Sequence, residues 1–229
     1  HLIFNPQQQP VGFSMARVPQ AVGLPRLFTN DFCQRHQIDP AQKLTLLTRM
    51  METIQFIHDH ACLMVDGNEM NYLVSEQDWQ TPYFIDVDSY QTTHFPATAL
   101  MPSIKDYHSS TLSPLTDWFA FAIAACQLLV GSHPFKGKHP NFKKHDLAAR
   151  MQANVSIFNP NVSVPAATRD FRVIPPPLKD WFIALFEQGD RCLPPVFTGA
   201  GISHRLHLSA TPTLHSTAQL DIKPLQQYP

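Results

Sequence analysis

Three residues in the first half of the chain have the types and spacing that phosphoryl transfer requires. Asp66 is followed five positions later by Asn71, which opens directly into the apolar run Tyr72-Leu73-Val74. Asp86 closes a second apolar run, Phe84-Ile85. A carboxylate can orient an attacking hydroxyl and accept its proton, while an amide oxygen and a second carboxylate can hold a divalent cation against phosphate oxygens. Asp88 stands two positions beyond Asp86, and residues two apart on a strand share a face, so Asp86 and Asp88 are both candidate metal ligands. Asp and Asn are also common turn residues, so the weight falls on how the rest of the chain is spaced around them.

The elements that must position these residues are legible in part. Residues 1–4 and 11–15 flank the turn-rich Asn5-Pro6-Gln7-Gln8-Gln9-Pro10 and predict a β-hairpin, followed by a linker over 16–25 and a short helix near 27–36. Asp39, Pro40 and Gln42 form a helix-start signature. Leu44, Leu47, Met51, Ile54 and His58 then recur at helical steps, giving an amphipathic helix that ends near residue 60. Residues 70–74 and 83–88 read as two short strands joined by a loop. Thr116 is placed to cap a helix over 117–130 that is apolar all round, hence central and buried, and Gly131 and Pro134 stop it. Leu178, Trp181, Phe182, Leu185 and Phe186 mark a further amphipathic helix ended by Gly189. Beyond residue 195 the chain turns polar and loses its apolar period, which predicts a linker or disordered tail over 196–229.

Taken together these residues resemble the protein-kinase family. Asp66 and Asn71 match the D-x-x-x-x-N of its catalytic loop, and Asp86 matches the aspartate of its D-F-G. Thr116-Asp117-Trp118-Phe119-Ala120-Phe121-Ala122 is similar to the start of the family's central helix. Leu128-Leu129-Val130-Gly131-Ser132-His133-Pro134-Phe135 is similar to its L-x-x-G-x-x-P-F, and Phe186-Glu187-Gln188-Gly189-Asp190-Arg191 to its late helix end. Order and spacing agree across 11–195. More narrowly, Val11-Gly12-Phe13-Ser14-Met15, Asp66-Gly67-Asn68-Glu69-Met70-Asn71 and Ile85-Asp86-Val87-Asp88-Ser89-Tyr90-Gln91 resemble bacterial and phage kinase-like proteins, some of which carry a helix-hairpin-helix DNA-binding module.

The resemblance implies an α+β fold: a mainly helical kinase-like C-lobe over 20–195 with a small β-hairpin at the active site, preceded over 1–19 by a remnant of the N-lobe sheet and the hinge. It implies ATP and Mg²⁺ as cofactors and a Ser or Thr hydroxyl as acceptor. Asp66 takes the catalytic role and Asn71, Asp86 and Asp88 the metal. Met15, Ala16 and Arg17 face the adenine, Asn68 stands at the phosphates, and Asp117 anchors the catalytic loop. Departures are equally specific. Met64 and Val65 replace the His and Arg before the aspartate, which implies no activation by loop phosphorylation. Asn68 replaces a lysine, Asp88 replaces the D-F-G glycine, and Ser103 replaces the A-P-E glutamate, so Arg191 is expected to lack its usual partner. No G-x-G-x-x-G loop and no strand-three lysine occur in the 229 residues. The expectation is therefore an N-terminally truncated phosphotransferase, with a pseudokinase scaffold as the alternative.

Composition narrows the remaining classes. A hydrophobic fraction of 44%, a charged fraction of 15% and a net charge of −1 suit a globular core and supply no general field for nucleic acid or an anionic membrane. The basic segment 136–150, with Lys136, Lys138, Lys143, Lys144 and Arg150, keeps a nucleic-acid partner open as a third reading. The four cysteines lack metal-site spacing and suit reduced thiols in the cytoplasm. The twelve histidines are scattered, and the close pair His204 and His207 falls in the polar tail. The most apolar run, 118–130, is too short to span a bilayer.

Overall fold

In the computed structural model, which describes residues 1–143, 146–195 and 206–214, the fold is organised around one helix. Helix α3 (Pro114–Val130) is apolar on every side, and such a helix is stable in water only if other elements surround it. They do: Trp118, Phe121, Ala122, Ile123, Cys126 and Leu128 are all buried. The helix starts three residues earlier than Thr116 alone would predict. Ser113 is the cap, and Thr116 Oγ1 reaches back to accept from the Ser113 N–H at 3.0 Å. The stop is as expected. Gly131 has φ 79°, and a Cβ there would sit 2.9 Å from the Phe28 carbonyl oxygen, so the left-handed turn and the close approach both require glycine.

Helix α2 (Pro40–Asp59) packs along α3 and carries the predicted reciprocal cap, with Asp39 Oδ1 accepting from Gln42 N–H at 2.7 Å and Gln42 Oε1 accepting from Asp39 N–H at 2.9 Å. Helix α1 (Asn30–Arg35) is shorter than read, because a 3₁₀ turn occupies Leu24–Phe28, with Pro25 near its start, and Thr29 then breaks the chain into an extended conformation. Helix α4 (Leu147–Gln152) follows the basic segment, and helix α5 (Pro176–Ile183) widens into a π-helical stretch over Ala184–Gln188 that ends at Gly189, φ 77°. Its aromatic face meets α3 and the following loop through Phe119–Phe186 and Phe135–Phe186 edge contacts.

Among the described residues, two small antiparallel sheets complete an α+β fold. Strands β1 (Leu2–Phe4) and β2 (Pro10–Phe13) form the predicted hairpin, and its Leu2, Ile3, Phe4 and Val11 are exposed. Strand β3 (Ala21–Gly23) lies inside the segment read as a linker. It pairs with β4 (Tyr72–Ser75), which pairs with β5 (Pro82–Phe84), in the register Val22↔Val74 and Leu73↔Tyr83.

Three expectations from sequence change here. Arg191 does not lack a partner: its guanidinium grips Asp106 with two bonds of 2.6 Å, and Asp106 is almost fully buried. The carboxylate enters three residues beyond Ser103, so position-by-position matching missed it. Arg150, counted in the basic segment, turns inward and donates to the carbonyls of Val155 and Gly137. Lys144 of that segment and His204 lie outside the described residues. Residues 206–214 of the supposed tail lie against α2, with Leu206 buried. The thiols of Cys33 and Cys126 are buried and free. No helix among the described residues is long and apolar enough to cross a membrane.

Candidate functional site

The loop that ends in Asp66 is held from below. Asp117, buried in the first turn of α3, accepts from the backbone N–H of Met64 at 2.7 Å and of Val65 at 2.9 Å, and also meets His58 Nε2 at 3.0 Å. One carboxylate thus ties α2, α3 and the loop together, and its charge suits a helix N-terminus. The ring nitrogen facing it must be the donor. Anchoring matters because Val65 sits at φ 60°, a region that a β-branched side chain avoids. A second tie holds the two acid-bearing segments side by side: Leu63 and Gln91 exchange both backbone hydrogen bonds, at 2.8 and 2.9 Å.

Within this frame Asp66 is closely oriented. Its Oδ1 accepts from the Met101 N–H at 2.8 Å and its Oδ2 from Asn68 Nδ2 at 3.0 Å. A carboxylate has roughly four lone-pair directions, so each oxygen keeps capacity for another donor. Gly67 permits the turn that follows. A Cβ there would lie 2.9 Å from Tyr72 Oη and 3.0 Å from Met64 Cε, and the buried Tyr72 hydroxyl donates to the Gly67 carbonyl at 3.2 Å. Asn71 Nδ2 donates to the Asp66 carbonyl at 2.8 Å, leaving its Oδ1 without a hydrogen bond among the described residues. The Asn71 carbonyl accepts from the Ile85 N–H at 3.0 Å, which brings the chain to Asp86.

Asp86 and Asp88 are brought together, though not by strand alternation. Strand β5 ends at Phe84, and Asp86 takes the left-handed conformation (φ 61°, ψ 43°) at the head of a 3₁₀ turn over Val87–Ser89. The turn folds the two carboxyls onto each other. A shared hydrogen bond with Asp88, then the charge of Asp88, slight desolvation and the charge of Asp66, raise the Asp86 carboxyl above its ordinary range. Among the described residues no group of three or more His, Cys, Asp or Glu side chains could hold a metal by itself. Two carboxylates and an amide are, however, a donor set that Mg²⁺ uses when phosphate oxygens complete its shell.

The remaining site residues are placed differently. Asn68 is only 2% exposed, and both ends of its amide are engaged, Nδ2 with Asp66 and Oδ1 with the Met70 N–H at 2.8 Å. It orients Asp66 and does not reach into open space. Met15, Ala16 and Arg17 lie on the exposed segment after β2, and no hydrogen bond among the described residues joins them to the acids. The Met101 N–H and the Asp106–Arg191 pair were missed from sequence. A backbone donor leaves no signature in residue type, whereas Asp106 was findable as a carboxylate shortly after Pro102. No protein-family model matches the chain, and no curated protein matches it.

Proposed function

We propose that the chain is the C-terminal lobe of a protein-kinase-like phosphotransferase that uses ATP and Mg²⁺ and takes a Ser or Thr hydroxyl as acceptor. One observation carries this reading. Asp66 and the Asp86–Asp88 pair stand on two segments clamped together at Leu63 and Gln91, with Asn71 bonded to both. Asp66, oriented by Asn68 and the Met101 N–H, positions the acceptor hydroxyl and takes its proton. Asn71 Oδ1, Asp86 and Asp88 would hold Mg²⁺, whose charge offsets that of the phosphates. Asp117 acts one step back, by fixing the loop.

The test is transfer of labelled phosphate from ATP to a generic Ser/Thr protein substrate by the purified chain, beside Asp66→Ala and Asp86→Ala. Loss of roughly 100-fold or more in both variants is expected, and wild-type turnover in both overturns the assignment. A second reading, a nucleotide-binding scaffold, is favoured by the burial of Asn68 where a phosphate-facing lysine would stand. ATP·Mg²⁺ that raises the melting temperature without any turnover selects the scaffold.

A further inference from the structure

A cavity of about 690 Å³ opens between residues 136–138, the start of α4 and residues 163–166, and it shares no lining residue with the acid cluster. Leu147, Val164 and Pro165 give it an apolar wall, and Val164 is left 40% exposed. Lys136 and Lys138 line it too, and both are exposed. Among the described residues their ammonium groups make no hydrogen bond or ion pair, and no carboxylate lines the cavity. Asp146, next to Leu147, is spent as the cap of α4, its Oδ1 accepting from the Ala149 N–H at 3.0 Å.

The walls are held in place. Lys138 and Ser163 exchange both backbone hydrogen bonds, each at 2.9 Å. Gly137, between the two lysines, lets these segments close up, since a Cβ there would lie 2.8 Å from the Ser163 carbonyl oxygen. Arg150 braces the wall from behind. Its Nη1 donates to the Gly137 carbonyl at 3.2 Å, while its Nη2 is buried without a partner among the described residues. The guanidinium thus brings a third positive charge to this wall. The carboxylate whose charge it feels, Glu187, is bonded to the Ser156 N–H at 2.7 Å. Bracing the wall accounts for Gly137 and Arg150. It does not account for two further cations, without counter-charge, beside an apolar hollow.

We propose that this cavity is a docking groove for an acidic peptide of a partner protein, with two carboxylates at Lys136 and Lys138 and an aliphatic side chain in the hollow over Leu147, Val164 and Pro165. Charge complementarity sets the sign of the partner. The lysines stand two positions apart, so their Cα atoms are at most about 7 Å from each other. Alternate residues of an extended peptide share a face and repeat at about the same distance. The hollow selects a peptide over nucleic acid. A phosphate backbone asks for a track of cations, and single strands ask for exposed aromatic platforms. Among the described residues no aromatic side chain lines the cavity; Phe135 is buried and Phe142 packs on His139. The inference is independent of the phosphotransferase reading.

The test is fluorescence anisotropy of the full chain with a short labelled peptide carrying two glutamates at alternate positions beside a leucine. Three competitors are added at matched ionic strength: the peptide with glutamines for glutamates, the peptide with alanine for leucine, and single-stranded DNA. Saturable binding that weakens with added salt is expected, with both altered peptides weaker and DNA weaker still. The double variant Lys136→Glu/Lys138→Glu, at exposed positions, is expected to weaken the peptide roughly tenfold, and Val164→Asp to weaken it as well. Should a variant fail to fold, the two altered peptides decide on the wild-type chain. No saturable binding, equal affinity for either altered peptide, full affinity in the lysine variant, or tighter binding of DNA would each overturn the proposal.

Discussion

Asp86 has a second acid, Asp88, beside it, and this has a consequence for stability. Asp86 is raised first by hydrogen bonding with Asp88 and next by the charge of Asp88. A carboxyl whose folded pKa lies above its unfolded value stabilises fully below the unfolded value, about 3.9, and that contribution is lost as pH rises through the folded pKa. Asp86→Asn should therefore raise the melting temperature at pH 7, and the gain should vanish as pH falls toward about 4. Mg²⁺ would relieve the same repulsion, so MgCl₂ should stabilise the wild-type chain more than Asp86→Asn in calorimetry. An equal Mg²⁺ effect on both would remove Asp86 from the metal set. Gly67 makes the opposite point, because its cost falls on packing. A methyl group there meets Tyr72 Oη at 2.9 Å and Met64 Cε at 3.0 Å, both inside van der Waals contact, in a buried turn. Gly67→Ala should cost about 1–3 kcal/mol in urea unfolding, and a loss under half that would show that Met64 yields freely.

At the level of elements, what the sequence made legible was what is written locally. The cap at Asp39 and Gln42, the all-round apolar character of α3 and the stops at Gly131 and Gly189 each depend on residues within one or two turns. Strand β3 was not legible, because three residues carry no period and its identity comes from pairing with β4 about fifty positions away. The turn that joins Asp86 to Asp88 was read as strand for the same reason: an apolar run does not announce where its ladder ends. Arg191 and Asp106 show how a long-range pair changes an element's role. Burial opposes ionisation of Asp106, but the Arg191 hydrogen bonds, the His108 N–H and the Arg191 charge outweigh it and hold the carboxyl below its usual range. The pair fixes the 100–106 segment, which supplies the Met101 N–H to Asp66, onto the π-helical stretch, where Arg191 also donates to the Leu185 carbonyl. Asp106→Asn should cost about 3 kcal/mol, because it leaves a mostly buried guanidinium without its counter-charge. Chemical denaturation measures the loss, and a cost below 1 kcal/mol would mean that water replaces the carboxylate.

For the whole molecule, acid sensitivity and the 206–214 segment are the two features with global readouts. His133 donates from Nε2 to the Ser103 carbonyl at 2.8 Å and accepts from the Phe135 N–H at Nδ1, so it is folded as the neutral ring. Burial first, opposed by the Ser103 bond and aided by Lys136 and Arg150, lowers its pKa to about 4. Its contribution is intact above the unfolded value of about 6.5. Below that the unfolded chain takes up a proton that the folded chain refuses, and stability falls by about 1.4 kcal/mol per pH unit until the folded ring titrates. His133→Gln should flatten that slope between pH 6.5 and about 4 in a urea series; an unchanged slope would assign it elsewhere. The 206–214 segment was read as part of a polar tail, since nothing in its composition marks it for docking. A buried amide stands at the centre of the contacts that hold it. Gln55 Oε1 accepts from the His207 N–H at 2.9 Å, and its Nε2 donates to Ser209 Oγ and Asp59 Oδ1, with Ser209 and His207 also meeting Asp59. Gln55→Ala removes both ends of that clamp while α2 keeps its packing against α3, so the expected cost to global unfolding is only about 1 kcal/mol. The local effect should be larger: cleavage within 206–214 under limited proteolysis, followed by mass spectrometry, should accelerate several-fold while the core resists. Equal cleavage rates in the variant and the wild type would mean that Leu206 and the Asp59 contacts hold the segment without Gln55.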